Sequence, residues 1–449
     1  MQHKFDVLVI GSGTAGYTLA LACRKAGLKV AVVDDKPFGG TCGARGCEPE
    51  KFLVVAAELV QLSQQMSETG IHPSAQLDWP ALVRSVSAFT TGVPDRAERG
   101  LESAGVNLFL GSASFVSREV VSVGGGTTVR ANAIVIATGA KTADLDFPGA
   151  DLAITAQDFM ELPVVPRRVL FIGGGCLAMA LAPVARGAGA AVTILNRGER
   201  ILKKFDADLA KRLANASKDA GMNIVTGITA SMAEKYGGAF LTYGKAGCAE
   251  SFPSDLIVNT SGRVASLEKL NLRAGEVTAS GKGVTVNEFL QSVSNPRVWA
   301  IGDACDSPYR LTSVAHMEGD VAAENIINGN VRRPDYSCVP CVVSSFPPIA
   351  QVGMTEQQAA EAGIRCKLNR GAMESWPSSR RIGQKHGYYK VLIEQESRKI
   401  VGAHILGHNA GETINIFAMA VKFGLTTRDL LDVLWAYPTD VSDIKEMIA

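Results

Sequence analysis

Cys42 and Cys47 are the residues whose types and spacing most directly indicate chemistry in this chain. Four residues separate the two thiols, so the pair can close a disulfide within a single turn of chain. The pair closely follows a glycine loop of the dinucleotide-binding type, Gly11–Gly16. A redox-active dithiol beside a bound nucleotide cofactor suggests electron transfer between that cofactor and sulfur.

A βαβ unit must position the glycine loop. The apolar run Val7–Ile10 predicts a strand buried on both faces of a parallel sheet. A helix to about Ala26 follows, and Val30–Val33 predicts the next strand, which ends at Asp34. The turn after the first strand carries the glycines of the dinucleotide fingerprint, Gly11, Gly13 and Gly16. Because Asp34 is placed to accept ribose hydroxyls, the unit is predicted to bind a dinucleotide with its phosphates on the helix N-terminus.

The same pattern restarts in the middle of the chain. Strand, glycine turn, helix and strand are predicted in that order at 168–172, Gly173 to Gly175, Cys176 to Arg186 and 191–195. Two βαβ nucleotide folds in one chain imply two nucleotide cofactors.

The second fold lacks the usual acid at the end of its second strand. Asn196 and Arg197 stand there instead, and Arg200, Lys203 and Lys204 follow. A carboxylate would repel a 2′-phosphate, whereas arginine can bind it in a bidentate manner. NADPH is therefore favoured over NADH, and the alternative interpretation is a solvated basic turn.

Other elements are predicted along the rest of the chain. Helical periodicity covers 52–66, 81–104, 411–424 and about 427–435, while strands are predicted at 133–139, 255–259, 298–301, 388–394 and 399–406. Gly124–Gly126 predicts a hairpin turn between short strands. The α+β character from about residue 336 predicts a separate C-terminal domain.

Composition excludes several classes of protein. The chain has 449 residues, 47% hydrophobic and 20% charged, with a net charge of +1. It is too long for one core and gives no sign of a nucleic-acid or membrane surface. It has no apolar run long enough to span a bilayer and no signal-peptide pattern. Nine scattered cysteines indicate a reducing cytoplasm with mostly free thiols.

The chain resembles the two-cysteine flavoproteins among the pyridine nucleotide–disulfide oxidoreductases, a group that includes dihydrolipoamide dehydrogenase, glutathione reductase and mercuric reductase. The segments that carry the resemblance are the two glycine loops, Gly40–Lys51, Ala137–Gly139, Ser261–Arg263, Ala300–Ala304 and Val339–Gly353. Together they extend over nearly the whole chain.

The resemblance implies an α/β fold with two Rossmann-like nucleotide-binding domains and a C-terminal α+β dimerisation domain. The FAD-binding domain would comprise 1–145 and 262–335, the NAD(P)H-binding domain 146–261, and the interface domain of a homodimer 336–449. Electrons would pass from NAD(P)H to the flavin and then to the disulfide.

Roles for individual residues follow from the same resemblance. Cys47 would face the flavin as the charge-transfer thiolate, Cys42 would exchange with substrate, and Lys51 would lie near flavin N5. FAD would be bound by Gly11, Gly13, Gly16, Asp34, Gly40, Thr41, Ala113, Thr138, Gly139, Arg263, Gly302, Asp303 and Ala315. NADP, with NAD as the alternative, would be bound by Gly173, Gly175, Cys176, Asn196, Arg197 and Lys203. No resident metal is expected.

Four positions depart from the family pattern. The C-terminal motif has Tyr437 where the family has its acid–base histidine, and a phenol with a pKa of about 10 is poorly matched to proton transfer at neutral pH. Glu50 stands where serine is usual, and the carboxylates of Glu48 and Glu50 are expected to raise the pKa of Cys47. Cys176 replaces an aromatic residue of the nicotinamide pocket, and Ala180 replaces a glutamate.

Other candidate residues receive structural interpretations. Cys338 and Cys341 have metal-ligand spacing but no second pair, so a structural position is favoured. The histidines His316, His404 and His408 are scattered and are interpreted as structural. Mercuric reductases also carry the tyrosine, but they add a C-terminal cysteine pair, whereas this chain ends Lys445–Ala449.

The sequence thus predicts a homodimeric FAD enzyme, dihydrolipoamide dehydrogenase-like, that moves electrons between NAD(P)H and a small disulfide, a dithiol or a lipoyl-type carrier. Its predicted catalytic residues are Cys42, Cys47, Lys51 and Tyr437. The alternatives are a metal-ion or quinone reductase and a flavin-bound redox sensor with little turnover.

Overall fold

The computed structural model describes residues 2–72, 75–246 and 248–449. The chain forms two compact units. The first comprises Met1–Pro49, Ser85–Ala143 and Arg263–Tyr336, and the second comprises Glu50–Arg84, Asp144–Gly262 and Ser337–Ala449. Each unit contains one of the two glycine loops. The finer division into three domains remains a prediction.

A seven-stranded sheet forms the centre of the first unit. Its strands lie in the order Asn107–Leu110, Val30–Asp34, Gln2–Ile10, Thr128–Ile136, Val120–Ser122 and Ser114–Ser117, and Val298–Ala300 also pairs with Thr128–Ile136. Leu8 and Ile10 pack on one face and Val7 and Val9 on the other, all of them buried. The predicted strand with two buried faces is therefore confirmed. The hairpin turn at 124–126 is also confirmed, because the strands on either side pair antiparallel.

Helices cover this sheet and carry the residues of interest. Those within the first unit are Thr14–Lys25, Cys42–Arg45, Val93–Ser103 and Thr312–Asn328, while Cys47–Gln65 and Trp79–Thr90 cross the unit boundaries. The helix expected over 81–104 is two helices, since Gly92 interrupts it and Pro94 begins the second. Short strand pairs join Ala140–Thr142 to Arg263–Ala265 and Ala279–Ser280 to Gly283–Val284.

Two of these helices approach each other closely. A Cβ atom at Gly319, on the helix Thr312–Asn328, would lie 2.7 Å from the carbonyl oxygen of Ala15 on the helix Thr14–Lys25. Only glycine permits this contact, and the side chains of the two helices consequently meet around it.

The second unit contains the other nucleotide fold. Its parallel sheet has the order Asn223–Thr226, Ala191–Asn196, Arg168–Ile172, Leu256–Asn259 and Ala153–Thr155, with helices Ala156–Met160, Cys176–Gly187 and Ala207–Asp219. An antiparallel sheet of Thr229–Tyr236, Ala239–Ala246 and Cys248–Ser254 follows, which the sequence analysis did not predict.

A five-stranded antiparallel sheet organises the C-terminal part of the second unit. Its strands lie in the order Cys341–Val343, Ile349–Gly353, Ile400–Leu406, Tyr388–Glu394 and Cys366–Ala372. The helices of this part are Glu356–Glu361, Pro377–Arg381, Ala410–Phe423, Thr427–Leu431 and Ile444–Ile448. Among the helices that the structure describes, none combines the length and apolar character needed to cross a bilayer.

Candidate active site

The two candidate redox thiols meet at one hydroxyl group. Cys42 and Cys47 are the first residues of the helices Cys42–Arg45 and Cys47–Gln65. The Thr312 hydroxyl lies 3.3 Å from the Cys42 sulfur and 3.5 Å from the Cys47 sulfur. The structure therefore brings the predicted pair together, in its reduced form as two thiols.

Hydrogen bonding makes the two thiols electrostatically different. The bond from Cys47 lowers the pKa of Cys42 to about 6, against the opposing effects of burial and of Glu48 and with the help of Thr312. The same bond, together with burial, raises the pKa of Cys47. The resemblance implied a charge-transfer thiolate on Cys47 beside the flavin, and that role stays a prediction. An anionic Cys42 is suited to attack a disulfide.

Asp34 organises the first glycine loop from within. Its Oδ2 atom accepts hydrogen bonds from the Ser12 amide at 2.8 Å and the Ser12 hydroxyl at 2.6 Å, and Oδ1 accepts from the Lys36 amide at 3.0 Å. The Ser12 hydroxyl in turn accepts from the Gly39 amide at 3.0 Å. Sequence reasoning missed Ser12, whose only signal is its position between the first two glycines of the fingerprint.

The surroundings of this loop fit a dinucleotide. Gly40 has a φ of +70°, and a Cβ atom there would lie 2.4 Å from the Cα of Gly13. The helix Thr14–Lys25 begins without a side-chain cap from any described residue, which leaves its first amides for phosphate. The Thr138 hydroxyl is buried with no hydrogen-bond partner among the residues that the structure describes. The uncapped helix amides, the close approach of Gly40 to Gly13 and the unpaired Thr138 hydroxyl together form a cradle of the kind that FAD requires.

An ion pair joins two more of the predicted FAD residues. Arg263 lies 3.3 Å from the Asp303 carboxylate and also donates to the Ala140 carbonyl at 2.8 Å. Asp303 follows Gly302, whose amide donates at 2.6 Å to the buried Glu318 carboxylate.

The remaining predicted FAD residues lie at different depths. Ala315 is half-buried near Gly302, and a Cβ atom added to that glycine would lie 3.6 Å from the Ala315 side chain. Thr41 precedes the Cys42 helix, and Gly139 follows the strand Thr128–Ile136. Ala113 lies in the apolar core beneath the sheet.

In the second unit, Asn196 occupies the place of the missing acid. Its side-chain oxygen accepts from the Gly174 amide at 3.1 Å, and its nitrogen donates to the carbonyls of Gly198 at 2.7 Å and Arg200 at 2.9 Å. The Arg200 guanidinium donates to carbonyls of its own loop. Arg197 and Lys203, two of the predicted NADP residues, are exposed.

The remaining predicted NADP residues surround the start of the helix Cys176–Gly187. Gly173 and Gly175 form the turn, with no side-chain cap on the helix among the described residues. Burial raises the pKa of the Cys176 thiol to about 11, and Cys341 and Glu50 add to this effect.

Cys338 and Cys341 do not converge. The Cys338 thiol donates to the Ala418 carbonyl at 3.2 Å, and that of Cys341 contacts the Val339 carbonyl at 3.8 Å. Within 2–72, 75–246 and 248–449, no group of three or more His, Cys, Asp or Glu residues is arranged to hold a metal ion.

The C-terminal motif lies at the surface of the second unit. The Tyr437 side chain is 81% exposed. Asp443, six residues after Tyr437, accepts a hydrogen bond from Ser378, and burial raises its pKa. Lys51 is exposed one turn after Cys47 on the same helix.

A pocket of about 700 Å³ opens beside Cys42 in the first unit. His316 and Asp320 of the helix Thr312–Asn328 line it, together with residues of the helices Thr14–Lys25 and Val93–Ser103. The histidine that the sequence analysis interpreted as structural therefore faces the same space as Cys42. By contrast, His404 is fully buried, and its ring contacts the Met354 carbonyl at 3.1 Å.

Two dinucleotide folds and a dithiol beside one of them define a nucleotide-dependent thiol oxidoreductase. Residues 5–319 match the pyridine nucleotide-disulphide oxidoreductases, and residues 339–448 match the dimerisation domain of the same family. The chain belongs to the pyridine nucleotide-disulphide oxidoreductase family. It is therefore an NAD(P)H-dependent flavoprotein disulfide oxidoreductase, as the sequence analysis predicted.

Relatives with different substrates are similar over nearly the full chain. A mercuric reductase of Staphylococcus aureus is 33% identical over 98% of this chain and 81% of its own length. A glutathione reductase of Burkholderia cepacia is 31% identical over 98% and 97%, and a dihydrolipoyl dehydrogenase of Chlamydia muridarum is 28% identical over 98% and 95%. The fold matches that of the HOCl-induced flavoprotein disulfide reductase RclA from Escherichia coli, with a TM-score of 0.89, 23% identity and 99% coverage of both chains.

Proposed function

We propose that this enzyme moves electrons between NADPH and a small disulfide or dithiol through Cys42 and Cys47, in the manner of dihydrolipoamide dehydrogenase. The pocket beside Cys42 carries the proposal. Its lining includes the apolar side chains of Tyr17, Leu21, Val93 and Ala97, and Cys42 is the cysteine among its lining residues. A short apolar chain bearing two sulfurs, such as a lipoyl group, matches these walls.

FAD, when bound, supplies the two-electron connection between the nicotinamide and the dithiol. We propose that the cradle of Gly11, Gly13, Gly40 and Thr138 holds its phosphates and ribose, with Asp34 keeping the loop closed. The Arg263–Asp303 pair would orient its central part. The Thr312 hydroxyl holds both sulfurs, and the Cys47 proton stabilises the Cys42 thiolate.

The preference for NADPH is proposed from the second loop. Asn196 leaves no carboxylate to repel a 2′-phosphate, and the exposed side chains of Arg197 and Lys203 are available to bind one. NADH remains the alternative donor.

A homodimer is proposed from the C-terminal domain. The apolar side chains of Val342, Met419, Phe423 and Leu434 are exposed there, the last of them at 95%. Apolar area of this kind indicates a protein interface, and the match to the family's dimerisation domain identifies a second copy of the chain as the partner. Tyr437 is proposed to act at the dithiol across this dimer.

A cytoplasmic location is proposed from the nine scattered cysteines of the sequence, which are typical of a reducing compartment.

A soft metal ion is the second candidate substrate. The S. aureus relative is named a mercuric reductase. The resemblance described in the sequence analysis implies that Tyr437 stands where mercuric reductases carry a tyrosine. The Cys42 thiolate is a suitable first ligand for such an ion.

The test is a thiol-labelling experiment on the FAD-loaded enzyme. NADPH should convert Cys42 and Cys47 from iodoacetamide-resistant to alkylated residues, as seen by mass spectrometry, and added lipoamide should reverse this. Reversal by Hg²⁺ or a quinone, but by no disulfide, would favour a rival activity. No labelling with NADPH or NADH would support a redox sensor.

A further inference from the structure

The pocket beside Cys42 contains a histidine held by two neighbours. His316 Nδ1 lies 2.8 Å from the Thr18 hydroxyl, and Nε2 lies 3.7 Å from the Asp320 carboxylate. The His316 side chain is 61% exposed and lines the pocket. Thr18 thus fixes one ring nitrogen, while the other is left within ion-pair range of an acid.

Helix geometry relates this histidine to the dithiol. Thr312, whose hydroxyl contacts both sulfurs, is four residues before His316 on the same helix. Residues four apart lie on one helix face, one turn from each other. The close approach at Gly319 brings this face to the helix of Thr18. The helix that holds the sulfurs therefore also presents the imidazole to their pocket.

Exchange between a dithiol and a disulfide requires proton transfer. The thiolate is the attacking species, and the leaving sulfur is better expelled when it can be protonated. Imidazole is the side chain whose ordinary titration range covers neutral pH. The C-terminal motif offers the phenol of Tyr437 instead, and a phenol is poorly matched to proton transfer at neutral pH. An imidazole in the pocket beside Cys42 can carry the proton in this range.

We propose that His316, oriented by Thr18 and Asp320, is the acid–base catalyst for exchange between substrate and Cys42. This inference rests on the proposed disulfide or dithiol activity. His316 Nε2 takes the proton of a substrate thiol, whose sulfur attacks Cys42 and breaks the Cys42–Cys47 disulfide. A substrate–Cys42 disulfide forms, and Cys47 leaves as a thiolate.

A second thiol–disulfide exchange releases the oxidised substrate and leaves the enzyme reduced. The other substrate thiol attacks the sulfur of its own mixed disulfide, Cys42 is released, and the substrate becomes a cyclic disulfide. Two electrons have moved to Cys42 and Cys47, and the two substrate protons are shared among His316 and the two sulfurs. In the reverse direction protonated His316 gives its proton to the departing substrate thiolate.

Other charged and titratable groups face the same pocket and enter any pH analysis. They are Tyr17 and Lys25 on the helix Thr14–Lys25, Arg96 on Val93–Ser103, Glu48 and Cys42 beside the dithiol, and Asp320 on the helix of His316. Because the Asp320 carboxylate lies 3.7 Å from Nε2, its removal is tested separately.

The experiment measures reduction of the Cys42–Cys47 disulfide by dihydrolipoamide in the FAD-loaded enzyme by stopped flow. His316→Gln should slow this step about 100-fold at pH 7. The pH profiles of the two enzymes should differ, because the rate of the variant should follow only the ionisation of the substrate thiol. Added imidazole should partly restore the variant, and Asp320→Asn should give a smaller loss.

Controls separate catalysis from folding and from the proposed function. His3→Gln, at the start of the first strand, should match wild type in every assay, and reduction of His316→Gln by NADPH should be unimpaired. A His316→Gln enzyme with the wild-type rate and pH profile would overturn the inference alone. A wild-type enzyme that exchanges with no dithiol or disulfide would overturn the proposed function and the inference with it.

Discussion

The Lys390 ammonium lies 2.8 Å from the Asp206 carboxylate, with both side chains almost completely buried at 2% and 5% exposure. Asp208 and Glu356 complete the surroundings of the ammonium at 2.7 and 3.3 Å. Asp206 also caps the helix Ala207–Asp219 by accepting from its first amides. This ion cluster connects the start of the helix Ala207–Asp219 to the strand Tyr388–Glu394 in the C-terminal sheet of the second unit.

Replacing Lys390 by methionine should strongly destabilise the protein. Burial lowers the pKa of Lys390, but its hydrogen bonds to Asp206 and Asp208 outweigh burial and raise it, so the ammonium is charged and paired. Its removal leaves Asp206 buried without a countercharge, which typically costs about 3–5 kcal/mol. Urea denaturation followed by circular dichroism measures the loss.

An exposed ion pair provides the matched control. Arg365 and Glu396 pair at 2.7 Å but are 74% and 81% exposed. Arg365→Met should therefore change the unfolding free energy by less than about 1 kcal/mol. Equal losses in the two variants would contradict the role of burial.

The reactivity of Cys42 should follow a low pKa. Since its pKa is lowered to about 6, the thiolate fraction and the alkylation rate of the reduced enzyme should rise through about pH 6 and level off above it. In Cys47→Ala the hydrogen bond is lost, so the midpoint should move up towards the ordinary range of a cysteine. Peptide mass spectrometry after brief iodoacetamide pulses reports each site, with buried Cys23 as the unreactive internal standard. An unchanged midpoint in Cys47→Ala would disprove the assigned hydrogen bond.

Gly40→Ala should abolish FAD binding. The added methyl group would lie 2.4 Å from Gly13 Cα, at a backbone φ of +70° that disfavours side chains. The purified variant should be colourless and should not regain flavin absorbance after incubation with FAD. Gly281→Ala is the control, since the structure describes no atom within 4 Å of its added methyl, and it should remain yellow.

Arg197→Ala should reduce kcat/KM for NADPH about tenfold while leaving that for NADH nearly unchanged. The proposed contact of Arg197 is with the 2′-phosphate, which NADH lacks, and a tenfold change corresponds to about 1.4 kcal/mol. Steady-state kinetics with both nucleotides measure the ratio. Lys211→Ala, an exposed lysine on the helix Ala207–Asp219, should alter neither value. An equal loss with both nucleotides would count against a 2′-phosphate role for Arg197.

Local patterns predicted the elements that carry the nucleotide loops. The strands Arg168–Ile172 and Tyr388–Glu394 end where their apolar patterns end. The helix predicted over 411–424 is found at Ala410–Phe423. The bounds of these elements agree with the prediction to within a few residues, because the repeat of apolar residues along the sequence already indicates which positions are buried. The sheet at 229–254 was missed because its strands alternate weakly and are stabilised mainly by pairing with one another.

The sequence predicted the site residues whose positions a motif fixes. It did not predict those whose positions depend on how two helices pack against each other. The positions of Asp34 and the glycines follow from the βαβ fingerprint, whereas the hydrogen bonds from Ser12 to Asp34 were not expected. His316 was not recognised, because its position depends on the distance between two helices set by Gly319 far along the chain. The distribution of charge between Cys42 and Cys47 also depends on a hydrogen bond that no spacing rule reveals.

The amide of Asn196 has a consequence for how this enzyme can change. It closes the loop after the strand Ala191–Asn196 with an oxygen and a nitrogen that carry no charge. Under the proposed function, recognition of a 2′-phosphate is then left to neighbouring surface side chains. Cofactor choice is therefore separated from the construction of the loop. Evolution or an engineer can exchange one electron donor for another by altering the outer residues while the turn beneath them stays intact.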